Sequence, residues 1–398
     1  MPDGPPAPLA LVHARVITPE AEIADGTVVI AEGHIVQADE RPPPEGVETR
    51  DLRGLIVAPG FVDLHVHGGG GFSLVDGDAA QLRGYAHWAA GRGVTGFLVT
   101  LVPDTRQRML DVIASTVAGF DSVFDGARPL GINLEGPFLN PLRCGALKSD
   151  VLRPADVDEL REYLLAARGL LRLMTIAPEL PGADSLLAEA LDAGIVVALG
   201  HSDATYEEAR RAFSHGVGHV THCFNAMRPF HHRDPGCVGA ALSSADVTCE
   251  LIADGVHVHP AAMEMLLRLK GVEKTVLVSD GIALAGVGDG TFELQAERVE
   301  VEGGVARRED GTLAGSAAPL DAMVRNAAAW LPVRAAGAIR MATLNPASVI
   351  GLADRKGKVV PGYDADLVVL TPELQVEMPF VGGKLVYERP PPAFRRST

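Results

Sequence analysis

Polar residues close a series of apolar runs in this chain: His65, His67, Glu135, His201, His222, Asp254, His257 and Asp280. Imidazoles and carboxylates are the donors that a hard-to-borderline divalent ion takes. So many at successive run ends is more than solvation or helix capping accounts for. His65 and His67 are two apart, so on a strand both rings face one side and can address one ion. The glycines at 68–71 let the backbone turn away and leave both rings uncovered. Asp280 follows the run TVLVS, where an ionised carboxylate beside a metal-activated water can take its proton and later give it to a leaving amine. The segment RPFHHR at 228–233 sets Arg228 and Arg233 beside another run end in an acidic chain. It reads as an anion clamp, because the guanidinium fork offers paired donors to phosphate, and the backbone N–H groups of Asn225 and Ala226 can add more.

The elements that position these groups follow from pattern. FVDLH (61–65), TGFLVTL (95–101), LGINLE (130–135), RLMTIA (172–177), IVVALG (195–200), HVTHC (219–223), TCELIA (248–253) and TVLVSD (275–280) are short apolar runs, with helix-period segments between them. Eight such βα units close a TIM (β/α)8 barrel, which gathers chemistry at the C-terminal ends of its strands. A doubly wound open sheet is the α/β alternative, but no G-x-G-x-x-G follows the first run. Thr205 or Asp203 opens one helix, Pro260 begins another, and Gly194, Gly216 and Gly271 stand where helices should stop. Strand-rich segments at 9–58 and 356–388 flank the βα region, and neither can bury a face alone. They are expected to pair into a small β-sandwich. The predicted division is therefore residues 1–58 plus 355–398 for the sandwich and 59–354 for the barrel.

Composition narrows the function classes. With 47% hydrophobic and 22% charged residues the chain is an ordinary globular one, and 398 residues suffice for a barrel plus a small module. A net charge of −16 opposes nucleic-acid and anionic-membrane surfaces. The cysteines, Cys144, Cys223, Cys237 and Cys249, form no C-x-x-C pair and are too few to staple such a chain. No signal-peptide pattern or membrane-length apolar stretch is present, so a cytoplasmic location is expected. The proline-rich ends at 2–8 and 390–392 read as frayed tails.

Taken together, PGFVDLHVHG (59–68), LEGPFLN (134–140), APE (177–179), GHSDAT (200–205), THCFNAM (221–227), IADGVHV (252–258), VSDG (278–281), GTLAGS (311–316) and ATLNPA (342–347) carry a family likeness over nearly the whole chain. The chain resembles the N-acetylglucosamine-6-phosphate deacetylases of the amidohydrolase superfamily. That resemblance implies a TIM barrel with a terminal β-sandwich, and hydrolysis of N-acetyl-D-glucosamine 6-phosphate to D-glucosamine 6-phosphate and acetate in amino-sugar catabolism. It implies metal ligands at Glu135, His201 and His222 and a catalytic acid/base at Asp280. It further implies phosphate contacts at Asn225, Ala226 and Arg233, a sugar contact at His257, and substrate-lining positions at Ala146, Leu313, Ala314 and Gly315. Family members are similar dimers, so Arg233 is expected to serve the neighbouring subunit of a homodimer.

Because His65 and His67 are kept, one or two divalent ions per subunit are expected, zinc foremost, with iron or manganese as alternatives. One position departs from the family. Where a polar residue, often histidine, usually helps to polarise the acetyl carbonyl, this chain has Leu147. A second ion, Lys148 or a different substrate are the three ways to accommodate that. Other amidohydrolases of the dihydroorotase, hydantoinase or D-aminoacylase kind often bridge metals with a carboxylated lysine, and no lysine stands at the strand end that Glu135 occupies. Deacetylation of an unphosphorylated sugar and a metal-free binding protein are the remaining rivals.

Overall fold

The computed structural model describes residues 7–18, 21–122, 125–294 and 297–390, so the proline-rich ends lie mostly outside the described residues. All eight apolar runs form parallel strands: β1 Phe61–Asp63, β2 Val94–Leu101, β3 Arg128–Glu135, β4 Leu171–Ile176, β5 Val196–Leu199, β6 His219–Val220, β7 Thr248–Leu251 and β8 Thr275–Leu277. They pair in chain order from β1 to β8. Beyond the strand ends the backbone closes the ring, since Asp280 donates its N–H to the His65 carbonyl at 2.9 Å and His67 donates to that of Gly281 at 2.8 Å. The barrel is therefore stitched shut at the rim where the candidate residues lie. β2 is buried at every position, as expected of a parallel strand covered on both faces, which is why these runs are continuously apolar rather than alternating.

Each strand is followed by a helix: α1 Ala79–Ala90, α2 Arg106–Phe120, α3 Val157–Ala167, α4 Ala183–Asp192, α5 Tyr206–Ser214, α6 Gly236–Ser243, α7 Pro260–Lys270 and α8 Leu320–Trp330. The start and stop signals act as physics requires. Thr205 caps α5 in a reciprocal capping box with Glu208. Gly271 ends α7 at φ +70°, a conformation that costs a residue with a Cβ. Phe61, Phe97, Ile132, Leu134 and Leu173 are among the fully buried side chains of the barrel core. Burial of each contributes about 1.5–3 kcal/mol.

Strands from both termini join in one hydrogen-bonded sheet. Leu367–Leu370 pairs antiparallel with Ile56–Pro59, which pairs parallel with Leu9–Ile17. Leu11, Ile30, Ile35, Leu367 and Phe380 form a separate apolar core beneath it. No expectation covers a third unit, a three-stranded antiparallel meander of Gly290–Leu294, Glu297–Glu302 and Val305–Arg308, inserted between β8 and α8. It alternates buried Val299 and Val301 with exposed glutamates and packs on Ile282, Leu284 and Ala314. Among the described residues no helix is long and apolar enough to cross a membrane.

Candidate active site

Glu135, the last residue of β3, is the hub of the rim. Its Oε1 lies 3.0 Å from Nε2 of both His201 and His222, which follow β5 and β6, and 3.3 Å from His65 Nε2. Its Oε2 lies 3.3 Å from His67 Nε2. Asp280, after β8, sets Oδ1 3.4 Å from His67 Nε2 and 3.6 Å from His65 Nε2. His201, His222 and Asp280 have positive φ, at 47°, 26° and 46°. Such non-glycine conformations are strained by about 1–3 kcal/mol each and cluster at functional sites.

The ring orientations are set from behind. His201 Nδ1 donates to the Arg143 carbonyl at 2.8 Å and His67 Nδ1 to that of Thr100 at 3.2 Å, so both Nε2 atoms face inward. Burial pushes the Glu135 carboxyl up in pKa, yet the surrounding His65, His201 and His222 rings hold it well below the ordinary carboxylate range. Asp280 is likewise raised by burial but lowered on balance by His67, His65 and His222. Burial lowers His67, but Asp280 and Glu135 outweigh it and raise the ring to about 9. Two buried carboxylates thus demand positive charge where imidazole nitrogens converge. His65 Nε2 and His222 Nδ1 are buried without a hydrogen-bond partner, and the Nε2 atoms of His201 and His222 are 3.1 Å apart. This donor set fits a divalent cation. His65, Glu135 and His222 form one compact ligand group, and His65, His67 and Asp280 a second.

The cluster lies at the wall of a cavity of about 470 Å³. His67, His201, His222, Asn225, Ala226, His257, Asp280, Ala146, Leu313, Ala314 and Gly315 all border it, as do Leu147 and Lys148. His257 Nδ1 is 2.6 Å from Asp254 Oδ2, which also accepts from Ser316 Oγ at 3.1 Å. Gly315, at φ +101°, lies so close that a Cβ would come within 2.6 Å of Ile282 Cγ2. The meander adds Leu294 and Arg308 to the wall.

Two expectations change, those for His65 and Arg228. His65 is not uncovered but fully buried, and the glycines after it accommodate the Trp88 ring, which a Cβ on Gly69 would approach to 2.1 Å. Arg228 is no free anion clamp, because Asp203 and Asp234 each accept from it at 3.1 Å. Arg233 is exposed, bonds to His232, and does not border the cavity of its own chain.

Sequence reasoning passed over two buried carboxylates and one anchor. Asp63 accepts from Ser279 Oγ at 2.6 Å, joining β1 to the end of β8, and burial pushes its pKa up to about 7. Glu250 sits behind His65. Glu179 of the APE motif accepts from Asn140, Ser202 and the Asp203 N–H, fastening three motif segments together. A charged residue inside an apolar run, as in FVDLH and TCELIA, is the signal that could have found the first two.

The amidohydrolase family model matches residues 56–386. The chain belongs to the amidohydrolase family. Within the family, this amidohydrolase is 33% identical over 384 residues to the N-acetylglucosamine-6-phosphate deacetylase of Bacillus subtilis, covering 95% of this chain and 97% of the relative. It is 36% identical over 371 residues to the N-acetylgalactosamine-6-phosphate deacetylase of Escherichia coli O157:H7, covering 93% and 97%. A solved structure of an alanine variant of the N-acetyl-D-glucosamine-6-phosphate deacetylase from Mycobacterium smegmatis, in complex with N-acetyl-D-glucosamine-6-phosphate, superposes with a TM-score of 0.90. That match has 34% identity and covers 96% of this chain and all of the other.

Proposed function

We propose that this amidohydrolase hydrolyses the acetamido C–N bond of N-acetyl-D-glucosamine 6-phosphate, releasing acetate and D-glucosamine 6-phosphate. The observation that carries this is the meeting of Glu135, four imidazole Nε2 atoms and Asp280 beside one cavity, in a chain whose relatives of nearly equal length bear that name. Glu135, His201 and His222 would hold one divalent ion, and His65 and His67 with Asp280 and Glu135 would offer a second position. Zinc is the ion of choice, while iron and manganese accept the same donors. A divalent ion there supplies Lewis acidity and lowers the pKa of water toward about 7.

The chain's own groups do the rest. Asp280, ionised by the histidines around it, takes the proton of the attacking water and hands it to the sugar nitrogen as the C–N bond breaks. His257, oriented by Asp254, faces the sugar, and Ala146 and the segment Leu313, Ala314, Gly315 line its seat. Asn225 and Ala226 address the phosphate. Arg233, which does not border its own cavity, supplies the remaining phosphate contact to the partner in a homodimer. Leu147 brings no hydrogen-bonding side chain to the wall; an ion held by the residues above would supply the polarisation of the acetyl carbonyl, with Lys148 the nearby cation. The division into a terminal module, 1–58 plus 355–398, and a catalytic barrel, 59–354, is supported by their separate apolar cores. A phosphorylated substrate and four free cysteines fit a cytoplasmic site of action.

The similarity to an N-acetylgalactosamine-6-phosphate deacetylase favours the C4 epimer as a second reading. An acetate-release assay over N-acetylglucosamine, N-acetylgalactosamine and N-acetylmannosamine 6-phosphates and their free sugars, with metal content measured on the same sample, tests both. The highest kcat/KM is expected for N-acetylglucosamine 6-phosphate. A metal-loaded sample that releases acetate from none of the 6-phosphates rules the proposal out.

A further inference from the structure

Glu250, in β7, is a fully buried carboxylate that none of these roles uses. Its Oε2 faces His65 Nδ1 at 3.1 Å and accepts the backbone N–H of His222 at 2.9 Å. Its Oε1 is 3.1 Å from Nε2 of His219, a buried ring held on its other side by Thr248 Oγ1 at 2.6 Å. Oε2 already acts as the acceptor of the His222 N–H, so in the contact with His65 it is Nδ1 that carries the hydrogen. The opposite nitrogen, His65 Nε2, is the buried atom without a hydrogen-bond partner, pointed between Glu135 and Asp280. A carboxylate behind a metal-binding histidine fixes its ring orientation and tautomer and raises its basicity.

We propose that Glu250 is the positioning residue of the second ion position: by accepting from His65 Nδ1 it presents His65 Nε2 to the space between Glu135 and Asp280. The inference rests on the metal reading above and goes beyond it by assigning the ion count to a residue that touches neither substrate nor ion. Glu135, His201 and His222 are arranged without the Glu250–His65 bond, and Glu250 meets this set only at the His222 backbone N–H, which the amide oxygen of a glutamine can still accept.

Cobalt(II) titration of the metal-free protein, followed by its visible bands, reads the two positions in sequence. The variant Glu250→Gln keeps the shape and one acceptor but removes the charge. The first equivalent is expected to bind as in the wild type, with the second weakened about 10–100-fold. In a His65→Gln background the same substitution should change nothing further. Thermal unfolding of the metal-free variants separates this from a general loss of fold. Should Glu250→Gln not fold, Glu250→Asp, which keeps the charge but withdraws it by one methylene, is expected to weaken the second equivalent more than the first. An unchanged second equivalent overturns the proposal, as does equal weakening of both. A wild type that binds one ion only overturns it while leaving the deacetylase reading intact, and a wild type that binds none overturns both.

Discussion

Asp280 and Glu135 face the same imidazoles, yet different work is asked of them, and substitution separates the two. Asp280→Asn should keep the first ion, whose ligands Glu135, His201 and His222 it leaves in place, while lowering kcat by about 10²–10⁴-fold, the range that a lost acid/base group commands. Acetate release and elemental analysis on one sample check this, and near-native turnover would remove Asp280 from its role. The Asp254–His257 pair carries a pH prediction. Burial lowers the pKa of His257, but the bond to Asp254 raises it on balance above the ordinary 6.5. A histidine whose folded value is raised contributes stability that is complete below 6.5 and lost as pH rises through the folded value. The difference in Tm between wild type and His257→Gln should therefore shrink as pH rises from about 6 to 9. Most residues of this site were legible as types at run ends. Glu250 was not, because its partners His65 and His219 stand 185 and 31 positions away and nothing local marks a bond to them.

Among the elements, the loops that follow the strands line the cavity, and the helices cover the outside of the barrel. Gly315 lies against Ile282 in a left-handed conformation, and the Ser316 N–H donates to the Asp280 carbonyl at 2.9 Å, so the segment 313–316 and the catalytic rim form one unit. Gly315→Ala should destabilise the fold by about 1–3 kcal/mol through backbone strain and also lower kcat/KM, read by denaturant unfolding and kinetics together. Thr205→Ala, which breaks the capping box of α5, should cost about 1 kcal/mol of stability and leave kcat unchanged. Strand periods were readable because burial on both faces writes itself into consecutive residues. The meander also had its alternation, in ERVEVE, but as an insertion it sits outside the βα rhythm, and only packing on Ile282 and Leu284 gives it a place.

For the whole molecule the decisive question is whether one subunit completes another. If Arg233 serves the partner's site, Arg233→Ala alone should raise KM for the 6-phosphate, while subunit exchange between Arg233→Ala and Asp280→Asn proteins should restore activity. Half of the randomly mixed dimers would carry one complete site, so about a quarter of wild-type activity is expected. Size-exclusion chromatography with light scattering on the same mixture verifies the dimer. Absence of any recovery would return Arg233 to its own subunit or to the solvent. By itself the sequence determined the eight strands, the helix stops and the chemistry available at each rim position, because those depend on neighbours along the chain. Only the tertiary structure decided that His65 is buried, that Arg228 is neutralised by two aspartates and that Glu250 stands behind the cluster. The first and last of these follow from closing the barrel, which brings His65 of the first unit to Glu250, 185 positions on, and Asp63 to Ser279, 216 positions on, within a hydrogen bond, a distance no local pattern records.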